Sequence, residues 1–358
     1  MSEPTKKYLG QTVPVKAAHR LDEARLIDFL GDTIEGFEGP LTLQQFEGGQ
    51  SNPTYLVVTP KHKYVLRRKP PGVLLKSAHA VDREFRVMRT LYEHDFPVPE
   101  PLVLCEDDAI LGSAFYVMRH VPGRVFLDNN MPDLTPDARG RVYDAANATL
   151  ARLHTFDYVS AGLADFGRPG NYFARQISRW SQQYEASRTQ DIPAMDKLID
   201  WLPGATPPEA QPQLIHGDYS FHNVLVHPTG TEIVAVLDWE LSTTGDPLGD
   251  LMYHAMEWYR PAGLDARNSL LGRDLKALGI PELQTYVARY CERVGRPPLE
   301  NLAFYQAYNL FRVAAIVQGI VGRARDGTAS ASNAAAQAAR VGPLAEAAWV
   351  FAQQAGAG

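Results

Sequence analysis

Hydrophobic residues recur at helical spacing in two segments near the start of the chain, residues 21–37 and 79–94. Around them the pattern changes to short β-prone runs that are separated by turn residues. These runs cover residues 41–46, 54–59, 63–68, 102–106 and 114–120. Short strands divided by turns are typical of an antiparallel sheet. We therefore expect a strand-rich region at the start of the chain, with one helix embedded in it.

After Pro122-Gly123 the pattern becomes mainly helical. Helical periodicity covers residues 136–155, 171–187, 194–201, 250–258, 282–294 and 299–325. Two strand-like runs, Val224–Val226 and Ile233–Leu237, interrupt the helices around a turn. The last thirty residues are Ala-rich and predict packing helices with a break at Gly342-Pro343.

The order of these elements predicts an α+β fold with two lobes. A small antiparallel-sheet N-lobe would cover residues 1–119, and a larger helical C-lobe would cover residues 120–358. With 358 residues, 45% of them hydrophobic, the chain can bury a sizeable core. Its net charge of −6 gives no electrostatic reason to expect nucleic acid or an anionic membrane surface as a partner.

The two cysteines, Cys105 and Cys291, do not form a CxxC pair. This usage fits a reducing compartment and excludes a disulfide framework. Residues 1–20 contain no apolar run of the kind that a signal peptide needs, and no window approaches the ~20 apolar residues of a membrane span. We expect a cytoplasmic protein with no nucleic-acid or membrane partner.

The strongest chemical signal is the run HGDYSFHN at residues 216–223, which is followed by LDWE at residues 237–240. Phosphoryl transfer needs a carboxylate that accepts the hydrogen bond of the attacking hydroxyl, and oxygen ligands that hold Mg²⁺ against the phosphates of ATP. Asp218, Asn223 and Asp238 supply these groups, at the spacing of the HRDxxxxN loop and the DFG aspartate of protein kinases. We predict that Asp218 is the catalytic base and that Asn223 and Asp238 are metal ligands.

Two other interpretations of these residues remain open. Asp and Asn side chains often cap turns, although three of them at this spacing after a sheet region favour a functional role. His216, Asp218 and His222 are also plausible Zn²⁺ ligands for a metal hydrolase. That interpretation lacks an HExxH arrangement and does not explain the spacing of Asn223 and Asp238.

The motif at 216–223 resembles the HGDxxxxN…hDW signature of the aminoglycoside-phosphotransferase-like superfamily, which includes choline, homoserine and fructosamine kinases. Asp246–Leu251 matches the DPxxDL continuation of this signature, and the likeness extends from about residue 40 to 325. Within the superfamily the chain most resembles the phosphotransferase domains attached to some acyl-CoA dehydrogenases. The segments that carry this likeness are Phe46–Asn52, Tyr64–Gly72, Ala78–Glu84 and Asn171–Trp180.

The resemblance implies a protein-kinase-like fold whose N-lobe binds ATP. The turn that would lie over the ATP phosphates consists of Gly48, Gly49, Gln50, Ser51 and Asn52. Arg67 stands where the superfamily usually has a phosphate-binding lysine, as in the choline-kinase branch, and Glu84 would be its partner. Arg68 or Lys69 could take this role instead, although strand alternation places Arg68 on the opposite face from Arg67.

The resemblance also implies roles at the hinge and around the catalytic loop. Met118 and His120 lie in a segment similar to the hinge between lobes, where backbone groups hold adenine. The histidine equivalent to His216 is expected to brace the catalytic loop. Asp250 is expected to fix that loop and to cap the helix that begins there.

The phosphate acceptor is expected to be a small molecule with a hydroxyl group. Asp250 follows Asp238 by only twelve positions, which argues against a protein substrate because it leaves little room for an activation segment. Tyr172, Arg175 and Arg179 could hold a phosphate or carboxylate group. With the resemblance added, we favour a hydroxyacyl-CoA or hydroxy-acid acceptor. The alternatives are an aminoglycoside, choline or sugar kinase of the same fold, or a pseudokinase that binds nucleotide without turnover.

Overall fold

The computed structural model describes residues 10–47, 52–70, 80–168, 170–208, 210–264, 269–299, 301–327 and 334–358. Strands β1 to β10 span Thr12–Pro14, Thr42–Phe46, Thr54–Val58, Lys63–Arg68, Pro101–Cys105, Phe115–Arg119, Gln213–Ile215, Val224–Val226, Ile233–Val236 and Thr243–Gly245. Helices α1 to α11 span Glu23–Thr33, Val81–Glu93, Asp108–Leu111, Pro136–His154, Tyr172–Ser187, Pro193–Trp201, Pro247–His254, Leu275–Leu278, Leu283–Val294, Ala303–Arg325 and Ala334–Gln354.

Contacts divide the chain into two compact units. The first unit contains Met1–Leu127, Val159–Leu163 and Phe221–Ser242. It is built on an antiparallel sheet with the strand order β1-β2-β3-β4-β6-β5. Helix α1 covers one face of this sheet, because its fully buried Leu26 and Leu30 belong to the same core as Tyr55 and Phe115.

The register of the central strands separates two consecutive arginines. Arg67 on β4 lies opposite Thr54 on β3 and Tyr116 on β6. Because side chains alternate along a strand, Arg68 points to the other face. There its Nε donates a 2.8 Å hydrogen bond to Ser113 Oγ. The predicted placement of Arg67 and Arg68 on opposite faces is therefore confirmed.

The second unit contains Asp128–Tyr158, Ala164–Ser220 and Thr243–Gly358 and is mainly helical. Helix α10 forms its centre and packs against α5 and α11. This position explains why most of the α10 side chains are buried, including polar ones such as Asn309, Arg312 and Gln318. The short strands β7 and β10 pair in antiparallel register, with Ile215 opposite Thr243.

The predicted break at Gly342-Pro343 is wrong, because α11 continues through Pro343. A proline inside a helix removes one backbone hydrogen bond. Val341, Leu344 and Ala345 on the same turn are fully buried, and α11 packs along α10. Burial of this face offsets the missing bond, and a local sequence signal cannot report such packing.

The predicted α+β class, with a small antiparallel sheet and a larger helical region, is confirmed. The division of function between residues 1–119 and 120–358 stays a prediction. The first contact-defined unit continues to Leu127 and also takes in the β8–β9 segment. Across the described ranges, no helix is both long and apolar enough to cross a bilayer.

Candidate active site

The hairpin β8–β9 brings the two predicted metal ligands to the same end. Asn223 directly precedes β8, Asp238 closely follows β9, and Val224 pairs with Val236 across the hairpin. The Leu237 amide donates a 2.7 Å hydrogen bond to the Asn223 carbonyl. Asp238 has a φ of 65°, a left-handed conformation that is uncommon for a non-glycine residue and concentrates at functional sites.

One guanidinium lies among three carboxylates in the first unit. Arg67 Nε is 3.1 Å from Glu84 Oε2. Its Nη2 donates to Asp238 Oδ1 at 2.7 Å and to Glu240 Oε2 at 3.0 Å. Only 13% of the Arg67 side chain is exposed, so solvent screens these contacts weakly. The predicted ion pair between Arg67 and Glu84 is present, and two further acidic groups share its cation.

Glu84 is the most buried carboxylate of this cluster. Its Oε2 accepts a 2.9 Å hydrogen bond from the Tyr116 hydroxyl, and its Oε1 accepts one of 3.3 Å from Asn52 Nδ2. Burial raises the pKa of Glu84 to about 7, against the opposing charge of Arg67. The ionisation of Glu84 near neutral pH therefore depends on Arg67.

A cavity of about 730 Å³ lies next to this cluster, within the first unit. Its walls include the predicted site residues Arg67, Met118, His120, Asn223 and Asp238. Apolar surface comes from neighbouring side chains, which include Val65, Met88, Leu225 and Leu237. A mostly apolar cavity of roughly 300–1,000 Å³ with a few polar groups is typical of a cofactor site.

The predicted phosphate-covering turn is described only in part. Gly48, Gly49, Gln50 and Ser51 lie outside the described residues. Asn52 is 1% exposed and bonded to Glu84, as given above. Glu47, just before the turn, lines the cavity together with Gln11, and the Glu47 amide donates a 3.0 Å bond to the Gln11 carbonyl. The segment that leads into β1 is therefore a wall of this cavity, which the sequence did not indicate.

The second unit holds Asp218 on a loop that follows β7. Asp250 Oδ2 accepts a 2.6 Å hydrogen bond from the His216 amide, and its Oδ1 accepts one of 2.8 Å from the Gly217 amide. The Asp218 amide donates to His216 Nδ1 at 3.2 Å. Gly217 has a φ of 83°, which side chains rarely adopt. Asp250 thus fixes the loop as predicted, and the contacts of His216 fit a bracing role.

Asp250 is 1% exposed. Burial acts to raise its pKa, but the hydrogen bond from His154, the charges of His154 and His216 and a backbone amide together lower it. The prediction that Asp250 caps its helix is wrong. Helix α7 begins at Pro247, and its N-cap is Asp246, whose side chain accepts a 2.8 Å bond from the Leu248 amide.

The residues predicted to bind the acceptor lie in two different surroundings. Tyr172 and Arg175 line a cavity of about 130 Å³ in the second unit. Arg175 Nη2 also donates to the Arg168 carbonyl at 2.8 Å. The guanidinium of Arg179 instead lies 5.0 Å from the Trp180 ring centroid and outside the described wall of that cavity. The structure brings Tyr172 and Arg175 together and leaves Arg179 apart.

Sequence reasoning missed three residues of these sites. Glu240 completes the Arg67 cluster, and its Asp-x-Glu spacing from Asp238 was the available signal. Tyr116 lies opposite Arg67 in the sheet, so the register of β4 and β6 could have indicated its contact with Glu84. Arg312, on the buried helix α10, bonds the loop at Gly217 and left no local signal.

The oxygen donors of the first unit fit a hard divalent cation. Ligand atoms of Glu84, Asp238 and Glu240 all lie within 4.8 Å of one another. Carboxylate and amide oxygens suit Mg²⁺, whereas Zn²⁺ sites usually contain His or Cys. Among the residues that the structure describes, this is the one such group of three, and it includes neither His216 nor His222 of the alternative zinc site.

The chain is similar in sequence to two curated proteins that are named acyl-CoA dehydrogenases. The chain is 43% identical to acyl-CoA dehydrogenase family member 10 of Mus musculus, over 98% of this chain and 33% of that protein. It is 42% identical to acyl-CoA dehydrogenase family member 11 of Gallus gallus, over 94% of this chain and 44% of that protein. The chain therefore spans between a third and a half of the length of these relatives.

The fold is similar to that of solved phosphotransferase structures. A Ralstonia eutropha protein, provisionally named an aminoglycoside phosphotransferase, is 45% identical with a TM-score of 0.85, over 94% of this chain and 99% of that chain. An aminoglycoside phosphotransferase mutant in complex with ADP and hygromycin B has a TM-score of 0.57 at 18% identity, over 94% and 99% of the two chains, and its likeness concerns the fold. The predicted protein-kinase-like fold is confirmed by these neighbours.

The match to a protein family extends over residues 42–308, from β2 to the first half of α10. It includes Arg67, Glu84, Asp218 and Asp238, whereas Arg312 lies just beyond its end. The predicted resemblance is thereby confirmed: the chain belongs to the phosphotransferase enzyme family.

Proposed function

We propose that the protein is a kinase that transfers the γ-phosphate of ATP to a hydroxyl group of a small molecule. The observation that carries this proposal is the cluster of Arg67 with Glu84, Asp238 and Glu240 at the wall of a cavity of about 730 Å³. A cation for phosphate oxygens and carboxylates for a metal are the parts that phosphoryl transfer requires of a nucleotide site.

The first unit would bind the nucleotide. The cavity is large enough for ATP, and the apolar residues Val65, Leu225 and Leu237 suit a purine ring. Met118 and His120 lie on the segment whose backbone would hold adenine. Fold neighbours that were crystallised with ADP or AMP-PNP support a nucleotide as the ligand.

Asn223, Asp238 and Glu240 would hold Mg²⁺. When bound, Mg²⁺ would supply positive charge that stabilises the phosphate groups. Arg67 binds phosphate oxygens in this proposal, and Glu84 holds the Arg67 side chain in place from the buried side. Arg suits this role because its planar guanidinium can donate to two oxygens at once.

Asp218 would orient the acceptor hydroxyl and accept its proton. In the reaction, the acceptor oxygen forms a bond to the γ-phosphorus, the bond from that phosphorus to the β–γ bridging oxygen breaks, and ADP leaves. The residue can hold this position because its loop is bonded through the amides of His216 and Gly217 to buried Asp250. Such positioning is the main contribution that a protein makes to phosphoryl transfer.

We propose a hydroxyacyl-CoA or hydroxy-acid derivative as the acceptor. Arg168 and Arg175 line the cavity of about 130 Å³ in the second unit, together with Thr206 and Thr244. Two cationic side chains and two hydroxyls suit one carboxylate or phosphate group of an acceptor. The acyl-CoA dehydrogenase names of the relatives support a thioester substrate, because their longer chains contain a region similar to this one.

Turnover with a panel of acceptors tests this proposal. Purified protein with Mg²⁺ and ATP is incubated with hydroxyacyl-CoA thioesters, free hydroxy acids, choline, sugars and aminoglycosides, and ADP formation is measured. We expect ADP and a phosphorylated product with the hydroxyacyl compounds, and none with the Asp218→Asn variant. Product from another class would correct the acceptor only. Tight ADP binding without turnover on any class would replace the kinase with a nucleotide-binding pseudokinase.

A further inference from the structure

Both backbone polar groups of Gly217 are held by buried charged side chains. Its amide donates to Asp250 Oδ1 at 2.8 Å. Its carbonyl accepts a 2.6 Å hydrogen bond from Arg312 Nη2, although 95 residues separate the two positions. Asp250 lies on α7 and Arg312 lies on α10, so one helix holds the peptide that precedes Gly217 and the other holds the Gly217-Asp218 peptide. The φ of 83° at Gly217 is one that glycine adopts readily and that residues with a side chain rarely adopt.

Arg312 is held in an aromatic environment. Its side chain is 5% exposed, and its guanidinium carbon lies 4.7 Å from the Tyr253 ring centroid and 5.7 Å from that of Trp180. Both distances are within the range of cation–π contacts. Its Nε has no hydrogen-bond partner among the residues that the structure describes. Gly217 directly precedes Asp218, so the bond from Arg312 to the Gly217 carbonyl holds a buried cation at the peptide that leads to the proposed base.

A buried cation of this kind is not expected to increase the stability of the fold by itself. Taking a guanidinium out of water is costly, and apolar replacements of buried charges are often neutral or stabilising. The bond to the Gly217 carbonyl and the proximity to Asp218 give the charge another use. We propose that Arg312 is a positioning residue for Asp218: it holds the Gly217-Asp218 peptide in the orientation that phosphoryl transfer requires. The inference rests on the proposed role of Asp218 as the base.

The test compares Arg312→Met and Arg312→Lys with the unchanged protein. Arg325→Met serves as the matched control, since Arg325 is an exposed arginine at the end of the same helix. Hydrogen–deuterium exchange of residues 214–220 is measured in the full chain, together with thermal unfolding and the affinity for ADP with Mg²⁺. Phosphate release from ATP, with water in place of the acceptor, gives kcat and KM.

For Arg312→Met we expect about tenfold faster exchange at residues 214–220, because the Gly217 carbonyl loses its partner. We expect kcat to fall on the order of 10²-fold, with ADP affinity and KM for ATP almost unchanged. Arg312→Lys should recover part of both losses, since lysine keeps a cationic donor. Millimolar guanidinium should recover part of kcat in an Arg312→Ala variant.

Unchanged exchange at residues 214–220 in Arg312→Met overturns the inference, whether or not any turnover is detected. A loss of ADP affinity and thermal stability in proportion to kcat would also overturn it, because a purely structural role predicts that pattern. Failure of the proposed function looks different: Asp218→Asn would keep the turnover of the unchanged protein. Hydrogen–deuterium exchange in Arg312→Met therefore tests the inference about Arg312, and turnover of Asp218→Asn tests the proposed function.

Discussion

Arg67 Nη2 and Asp238 Oδ1 lie 2.7 Å apart, although 171 residues separate them in the sequence. Arg67 belongs to the central strand β4 of the six-stranded sheet. Asp238 follows β9, the second strand of the β8–β9 hairpin, which begins more than a hundred residues after the last strand of that sheet. The contact joins the proposed phosphate-binding residue to the proposed metal ligand. It therefore couples two functions that the sequence motifs present as separate.

Replacing Arg67 by Met should raise KM for ATP and lower kcat. Each charge-assisted contact is worth roughly 1.5–3 kcal/mol, so the change in kcat/KM should be about one to two powers of ten. Arg68→Met is the control, because Arg68 is also buried but bonds Ser113 on the other sheet face. It should lower stability and leave KM for ATP almost unchanged. The reverse order of damage would disprove the proposed role of Arg67.

Asp218→Asn should nearly abolish phosphoryl transfer and leave ADP binding intact. The amide keeps the size of the side chain and loses the ability to accept the proton, and general bases contribute typically ~10²–10⁴-fold. Steady-state turnover and titration with ADP and Mg²⁺ measure the two properties. Turnover close to that of the unchanged protein, in a folded variant, would exclude Asp218 as the base.

Glu240→Gln should increase the Mg²⁺ concentration needed for nucleotide binding, by about tenfold, because one carboxylate of the cluster is lost. Asp238→Asn should have a larger effect, since Asp238 is also a predicted kinase-motif ligand. The control is Glu93→Gln, an exposed carboxylate paired with Arg89 on α2. Isothermal titration of ADP at several Mg²⁺ concentrations gives the result. An unchanged Mg²⁺ dependence in both variants would contradict the metal site.

Asp250→Asn should destabilise the protein most at neutral pH. The pKa of Asp250 is lowered in the folded state from its ordinary value of 3.8, so its charge contributes stability above that value and the contribution is lost as pH falls through the folded-state pKa. Replacing the carboxylate removes charge-assisted bonds to two amides, worth roughly 3 kcal/mol together. Urea unfolding of both proteins from pH 7 to pH 3 measures the difference, which should shrink towards pH 3. A constant difference would contradict this account.

Arg175→Ala should raise KM for the acceptor, whereas Arg179→Ala should change it little. Arg175 lines the cavity of about 130 Å³, and Arg179 lies against Trp180 outside the described wall. Losing one charge-assisted contact should cost the acceptor about one to two powers of ten in affinity. Measuring KM for the acceptor and KM for ATP in both variants tests whether this cavity binds the acceptor. An effect confined to ATP would show that this cavity is not an acceptor site.

Much of this arrangement could be predicted from local pattern. The pairing of Glu84 with Arg67 was implied by the family resemblance. Strand alternation separated Arg67 from Arg68, and this prediction depends only on spacing within one element. The spacing from Asp218 to Asn223 was informative for a similar reason, because kinase chemistry constrains the length of that loop.

Contacts between distant elements could not be predicted in this way. The bond from Arg312 to Gly217 depends on how α10 packs in the second unit, and no periodicity in a buried helix reports its partner. The continuation of α11 through Pro343 also depends on packing between helices, which outweighs the helix-breaking tendency of proline. Asp250 was assigned the cap because the helix start was misplaced by a few residues, and helix boundaries depend on such details.

The position of Arg67 among three carboxylates has a consequence for the protein in a metal-free buffer. Acidic side chains gathered for a divalent cation repel one another when that cation is removed, and many metal sites loosen for this reason. Here the chain supplies its own counter-ion, 2.7 Å from Asp238 and 3.0 Å from Glu240. Chelation should therefore deplete activity while the thermal unfolding temperature stays nearly constant, so that the protein can be stored, purified and reloaded without refolding.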